Sequence, residues 1–245
     1  MSGDHVLEIS GLHASVAEKQ VVQGVDITVR DGEVHVVMGP NGSGKSTLAH
    51  ALMGRPGTVV TEGSIRLDEA DLTAMPAWQR ARAGLFLALQ QPIEVPGVLP
   101  VAALAEALGE DGATVAERMR VEAAEIGFEE KLLSRPLNVD LSGGERKRNE
   151  VLQLGVLRPK FCVLDEIDSG LDVDAVRAVA RRIERATGEW GLGVLAVTHF
   201  HRLLRELRAD VVHVLVGGRV VASGGPELAE ELEHTGYGDY DAQAS

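Results

Sequence analysis

The sequence predicts an α/β fold: a parallel core sheet, an antiparallel β part beside it and an inserted helical lobe. Three observations carry this. Gly39-Pro40-Asn41-Gly42-Ser43-Gly44-Lys45-Ser46 reads G-x-x-x-x-G-K-S, follows the apolar run Val34 to Met38 and precedes the helix-like Leu48 to Met53. That is the strand, glycine loop and helix order of a phosphate-binding loop. Two further apolar runs, Phe161 to Asp165 and Val194 to Thr198, read as buried parallel strands. Between Gln91 and Leu157, the prolines Pro92, Pro96 and Pro100 give way to helical periodicity, which marks a lobe set into the sheet domain.

The elements follow in order. Val6 to Ile9 and Val25 to Val29 alternate apolar and polar residues as half-buried strands do, and Gly63 to Leu67 is another short strand. Helical spacing covers Val101–Leu108 and Val115–Ile126 in the lobe. Ser142 is a natural N-cap with Glu145 three residues on, so a capped helix runs from there to Leu157. Val173 to Arg185 is an amphipathic helix. Val211 to Val216 and Arg219 to Ala222 flank Gly217-Gly218, a two-residue hairpin signal. Pro226 to His234 reads as a helix, and the polar tail from Gly236 is expected to fray. The chain is expected to be one domain, with residues 1–90 and 158–235 as core, 91–157 as lobe and 236–245 as tail.

Bulk properties narrow the function. Of 245 residues, 44% are apolar but only 3% aromatic, so the core is aliphatic and base-stacking surfaces are scarce. A formal net charge of −13 argues against a nucleic-acid backbone footprint and against adsorption to an anionic membrane. No apolar stretch reaches the length of a spanning helix, and the start of the chain lacks a basic region leading into a signal core. A cytoplasmic protein is expected. The single cysteine, Cys162, lies in a core strand and reads as a small apolar residue rather than an iron–sulfur ligand, since such clusters want about four.

The site chemistry starts at the glycine loop. A triphosphate needs many converging donors, and glycines let backbone N–H groups approach it closely. Gly39, Pro40, Asn41, Gly42, Ser43 and Gly44 form the loop, with Thr47 adding a further hydroxyl after Ser46. Lys45 can reach the β- and γ-phosphates, and Ser46 can ligate Mg²⁺. Asp165 ends an apolar strand, the place for a magnesium-supporting carboxylate, and Glu166 follows where a carboxylate can polarise water. Ser142, Gly143 and Gly144 open a helix and suit a second anion site.

With Gln90, Ser169-Gly170-Leu171-Asp172 and Thr198-His199 in the same order, the set resembles the ATP-binding-cassette ATPases. The resemblance covers nearly the whole chain. It implies a P-loop NTPase fold of cassette type with a RecA-like core sheet, ATP and Mg²⁺ as cofactors, and ATP hydrolysis. It also implies head-to-tail pairing with a second copy, in which Ser142 to Gly144 face a nucleotide held by the other chain. Gln90, rather than Gln91, resembles the glutamine that touches Mg²⁺; Asp172 resembles the aspartate that communicates across the dimer; His199 resembles the histidine that contacts the γ-phosphate. One departure stands out: residues 11–29 contain no aromatic to stack on adenine, leaving His13 or Val16, so modest affinity and poor purine discrimination are expected.

The wording between these motifs is more particular. The signature continues Arg146-Lys147-Arg148-Asn149-Glu150, Glu166 is followed by Ile167-Asp168-Ser169, and Gln90 by Gln91-Pro92-Ile93-Glu94-Val95-Pro96-Gly97-Val98. These blocks resemble the ATPase subunits of the SUF iron–sulfur cluster assembly system more than transporter cassettes. That likeness implies the SufB and SufD scaffold proteins as partners, docked at Ile93, Val95 and Val98, with no nucleic acid and no direct membrane insertion. A nucleotide-binding subunit of an ABC transporter is the alternative.

Overall fold

The computed structural model describes residues 5–198, 201–204 and 206–241. β1 (Val6–Val16) and β2 (Lys19–Arg30) form a long antiparallel hairpin. Both run past the alternating stretches that announce them, because pairing resumes beyond a bulge at Gly11, where φ is 54°. β3 (Val34–Met38) leads through the glycine loop into α1 (Lys45–Met53). β4 (Thr58–Leu67) pairs with β1, and the short β5 (Ala70–Asp71) follows at the sheet edge. α2 (Ala77–Ala83) and β6 (Leu85–Ala88) return the chain to the core sheet.

The lobe comprises α3 (Pro100–Leu108), α4 (Gly112–Glu125) and α5 (Gly143–Leu157). Proline opens α3, Asp111 caps α4 through the Ala113 and Thr114 N–H groups, and the Ser142–Glu145 capping box starts α5. β7 (Phe161–Asp165), α6 (Val173–Trp190), β8 (Gly193–Val197) and α7 (His201–Leu204) follow. β9 (Val211–Val216) and β10 (Arg219–Gly224) make the hairpin over Gly217-Gly218, and α8 (Glu227–Thr235) and α9 (Gly238–Asp241) come last. In the described part of the tail, Tyr237 and Tyr240 pack against the core.

The core sheet has the order β10-β9-β3-β8-β7-β6, parallel from β9 to β6, with β10 antiparallel at one edge. The second sheet, β2-β1-β4-β5, is antiparallel. β3, β7 and β8 are buried throughout, and their side chains alternate between two cores. Val36, Met38, Leu164 and Ala196 face the core shared with the lobe and α6. Val37, Val163 and Leu195 face the one shared with β1, β2, β4 and α1. The core sheet is therefore a middle layer, which explains why its strands read as unbroken apolar runs.

This layering sets the carboxyl ends of β3, β8 and β7 side by side, where open α/β sheets bind ligands. The lobe is tied to the core by a buried ion pair. Arg182 of α6 donates to both oxygens of Glu122 of α4 at 2.7 and 2.9 Å. Gly155 of α5 makes room for that carboxylate: a Cβ there would lie 2.1 Å from a Glu122 oxygen.

Candidate nucleotide-binding site

The glycine loop is shaped by close backbone approaches. A Cβ on Gly39 would lie 2.0 Å from the Leu215 carbonyl oxygen, and Gly44, at φ 107°, is the N-cap of α1. Beneath them is a cavity of about 280 Å³ lined by Val21, Asn41, Gly42, Gly44, Lys45, Ser46, Thr47 and Glu166. Val21, rather than His13 or Val16, is the residue of the β1–β2 hairpin that reaches it. The His13 ring is instead engaged by the Gln20 amide at 2.6 Å. Ordinary sequence signals do not single out Val21; the stacking of β2 against the loop brings it there. Tyr237 is a second residue the sequence did not reveal, its phenol hydrogen-bonded by the Gly39 backbone.

Lys45 is 4% exposed and folds back on its own loop, donating to the Gly39 and Pro40 carbonyls, both at 2.8 Å. Burial pushes its ammonium down to about 8 against the opposing pull of Glu166 and Asp165. These carbonyl contacts are the ones a triphosphate would compete for.

Ser46 donates to Asp165 Oδ1 at 3.0 Å. Asp165 is fully buried, and its second oxygen, Oδ2, has no hydrogen-bond partner; His50 Nε2 lies 3.7 Å away. Burial raises the Asp165 carboxyl, with the Ser46 hydroxyl opposing the shift. An orphaned buried carboxylate oxygen beside a serine hydroxyl is a hard-oxygen set that fits Mg²⁺ and its water ligands.

Glu166 lies one residue past β7 in the left-handed region, at φ 48°, a conformation few non-glycine residues adopt. Its N–H donates to the Val197 carbonyl at 2.9 Å, Lys147 of α5 donates to its carbonyl, and Gln90 Nε2 donates to its Oε2 at 2.5 Å. Gln90 and Glu166 are thus brought together from the ends of β6 and β7. Asp172 caps α6 by accepting from Ala175 N–H at 2.8 Å. Ser142 and Gly143 are exposed at the start of α5, and none of Ser142, Gly143 and Gly144 lines the loop cavity. His199 lies outside the described residues. Cys162 is buried in β7, where desolvation pushes its thiol up.

The family model described as "ABC transporter" matches residues 22–169. The chain is 45% identical to "Vegetative protein 296" of Bacillus subtilis strain 168 over 239 residues, covering 94% of this chain and 91% of that protein. It is 42% identical to "Probable ATP-dependent transporter SufC" of Escherichia coli strain K12 over 243 residues, covering 95% and 98%. Its fold matches a solved ATP-binding subunit of an ABC transporter with a TM-score of 0.78 at 24% identity, covering 94% and 95%. A glycine loop, a strand-ending Asp165-Glu166 pair and a capped signature helix on this fold agree with these likenesses: the chain belongs to the ATP-binding-cassette (ABC) family, as an ATP-hydrolysing member similar to SufC.

Proposed function

We propose that this ATPase is the motor subunit of a SUF-type iron–sulfur cluster assembly complex, working on the SufB and SufD scaffold proteins in the cytoplasm. Among the described residues no helix is long and apolar enough to cross a membrane. The loop residues Gly39 to Ser43 and the α1 N-terminus bind the phosphates, with Thr47 beside them. Ser46, Gln90 and Asp165 hold Mg²⁺, which when bound neutralises phosphate charge. Lys45 turns from its carbonyls to the γ-phosphate, Glu166 orients the attacking water, and His199 contacts the γ-phosphate. Ser142, Gly143, Gly144 and Asp172 act across a pair of chains.

The observation that carries the assignment is the likeness to SufC over 95% of the chain, joined to an apolar surface beside Gln90. Ile93 is 62% exposed, Val98 37% and Leu99 44%. Val95, counted with them in the sequence, is only half-buried surface, its N–H held by the Leu137 carbonyl at 2.9 Å. The segment suits a partner that moves with the nucleotide state.

Co-expression with the scaffold tests this. Ile93→Asp with Leu99→Asp is expected to abolish co-purification of SufB and SufD while leaving ATP binding intact. Unchanged assembly would sink the docking surface. The transporter wording in relatives' names supports a second reading, and recovery of an integral membrane protein in place of the scaffold would favour it.

A further inference from the structure

Gln90 is exposed and stands on an irregular segment, so its backbone must be held for its amide to stay on Glu166. α5 does the holding. Leu89, the first residue past β6, donates its N–H to the Glu150 carboxylate, 3.2 and 3.1 Å from the two oxygens. On the other side of Gln90, Asn149 donates to Asn138 Oδ1 at 2.8 Å, and Asn138 donates to the Ile93 carbonyl at 2.9 Å. Arg146 of the same helix pairs with Glu94, and Lys147 donates to the Glu166 carbonyl. The run Arg146 to Glu150 therefore grips both members of the Gln90–Glu166 pair. This is the wording that separates the chain from transporter-like signatures.

Glu150 is the informative member. It is 7% exposed, and burial pushes its carboxyl up to about 8, with the Leu89 N–H and Lys147 opposing the shift. An apolar residue could fill the space, but it would offer no acceptor oxygen to the chain just before Gln90.

We propose that Glu150 is a positioning residue for ATP hydrolysis: by holding the Leu89 N–H it fixes Gln90 against Glu166, while Asn149 fixes the far side of the same segment. The inference rests on Gln90 and Glu166 acting together as assigned above.

A double-mutant cycle in steady-state ATP hydrolysis tests it, using the full chain with ATP and Mg²⁺. Glu150→Ala is expected to lower kcat about tenfold with KM within about twofold, because the lost interaction acts on the chemical step. Glu150→Gln keeps the shape and one acceptor oxygen and recovers kcat to within about threefold of wild type. In a Gln90→Ala background, adding Glu150→Ala costs less than about twofold, since the residue it positions is gone. A Glu150→Ala kcat near wild type overturns the proposal, as does an equal further loss in the Gln90→Ala background. Asn149→Ala in the same cycle gives a second reading if Glu150→Ala does not fold: independence from Gln90 overturns the proposal there too. An undiminished Gln90→Ala rate overturns the catalytic assignment and the positioning together. A reduced Gln90→Ala rate beside a normal Glu150→Ala rate overturns only the positioning.

Discussion

Ser223, His213, His35 and Glu33 form a hydrogen-bonded chain running from β10 across β9 to the start of β3. His35 Nδ1 lies 3.0 Å from His213 Nε2, His35 Nε2 is 3.2 Å from Glu33, and His213 Nδ1 is 2.8 Å from the Ser223 hydroxyl. With both imidazoles neutral, donation runs in one direction: Ser223 to His213, His213 to His35, and His35 to Glu33. Protonating both rings would set two N–H groups face to face. Burial lowers His35 despite the pull of Glu33 and Asp210, and burial together with His35 lowers His213 from 6.5 to about 4. The unfolded chain therefore binds more protons than the folded one between those values, so stability is lost as pH falls through 6.5 toward 4. His213 alone accounts for about 2 kcal/mol between roughly pH 7.5 and 5. Urea unfolding at the two pH values measures it. His213→Gln, which can keep both hydrogen bonds, is expected to remove most of that difference; an unchanged pH dependence would count against the neutral pair.

At the scale of elements, the Arg182–Glu122 pair is the joint between lobe and core. Both side chains are buried, and Arg182 also lies over the Trp190 ring at 5.0 Å, while Trp190 donates to the Pro159 carbonyl at 3.0 Å. Arg182→Ala leaves Glu122 buried and uncompensated and is expected to destabilise the protein by about 3–5 kcal/mol. The double variant Arg182→Met with Glu122→Met removes both charges and recovers most of that loss. Urea midpoints read both, and a single-variant loss under about 1 kcal/mol would show that the joint contributes little. This pair also shows where the sequence stops being readable. The strands β3, β7 and β8 are legible because burial on two faces makes them apolar throughout, and α5 is legible because its capping box is local. β6 is not: four residues pair with β7 across a long sequence separation, and no periodicity survives in so short a run. Glu122, Glu150 and Val21 look like ordinary surface or strand residues until tertiary packing supplies their partners. The glycine loop, Asp165 and Glu166 were legible because phosphate chemistry constrains residues adjacent in sequence. Gln90's setting was not, since α5 supplies it from some sixty positions away.

At the scale of the whole molecule, one chain shows only part of the proposed machine. The loop cavity is lined by residues of β2, the glycine loop, α1 and Glu166, and by none of Ser142, Gly143 or Gly144. A Cβ on Gly143 would meet nothing within 4 Å, so nothing in its own chain requires glycine there. A glycine at an exposed helix start, costing helix propensity, is explained when a ligand or another backbone must come close. The proposed head-to-tail pairing would supply that ligand as the nucleotide bound to the second copy, and it makes a sharp prediction. Lys45→Ala disables the loop of its own chain, and Ser142→Arg disables the signature it offers to the other. Each variant alone is expected to be inactive, because both sites of its homodimer carry a defect. In a mixed pair, one site receives both defects and the other receives none. Random mixing gives about half mixed pairs with one intact site each, so about a quarter of wild-type ATPase activity per chain returns. Activity should rise to a maximum at the equal mixture and fall again as one variant replaces the other at fixed total chain. A mixture that stays inactive, with both variants folded and Ser142→Arg still binding ATP, would place the signature in the same site as its own loop and end the paired-site reading.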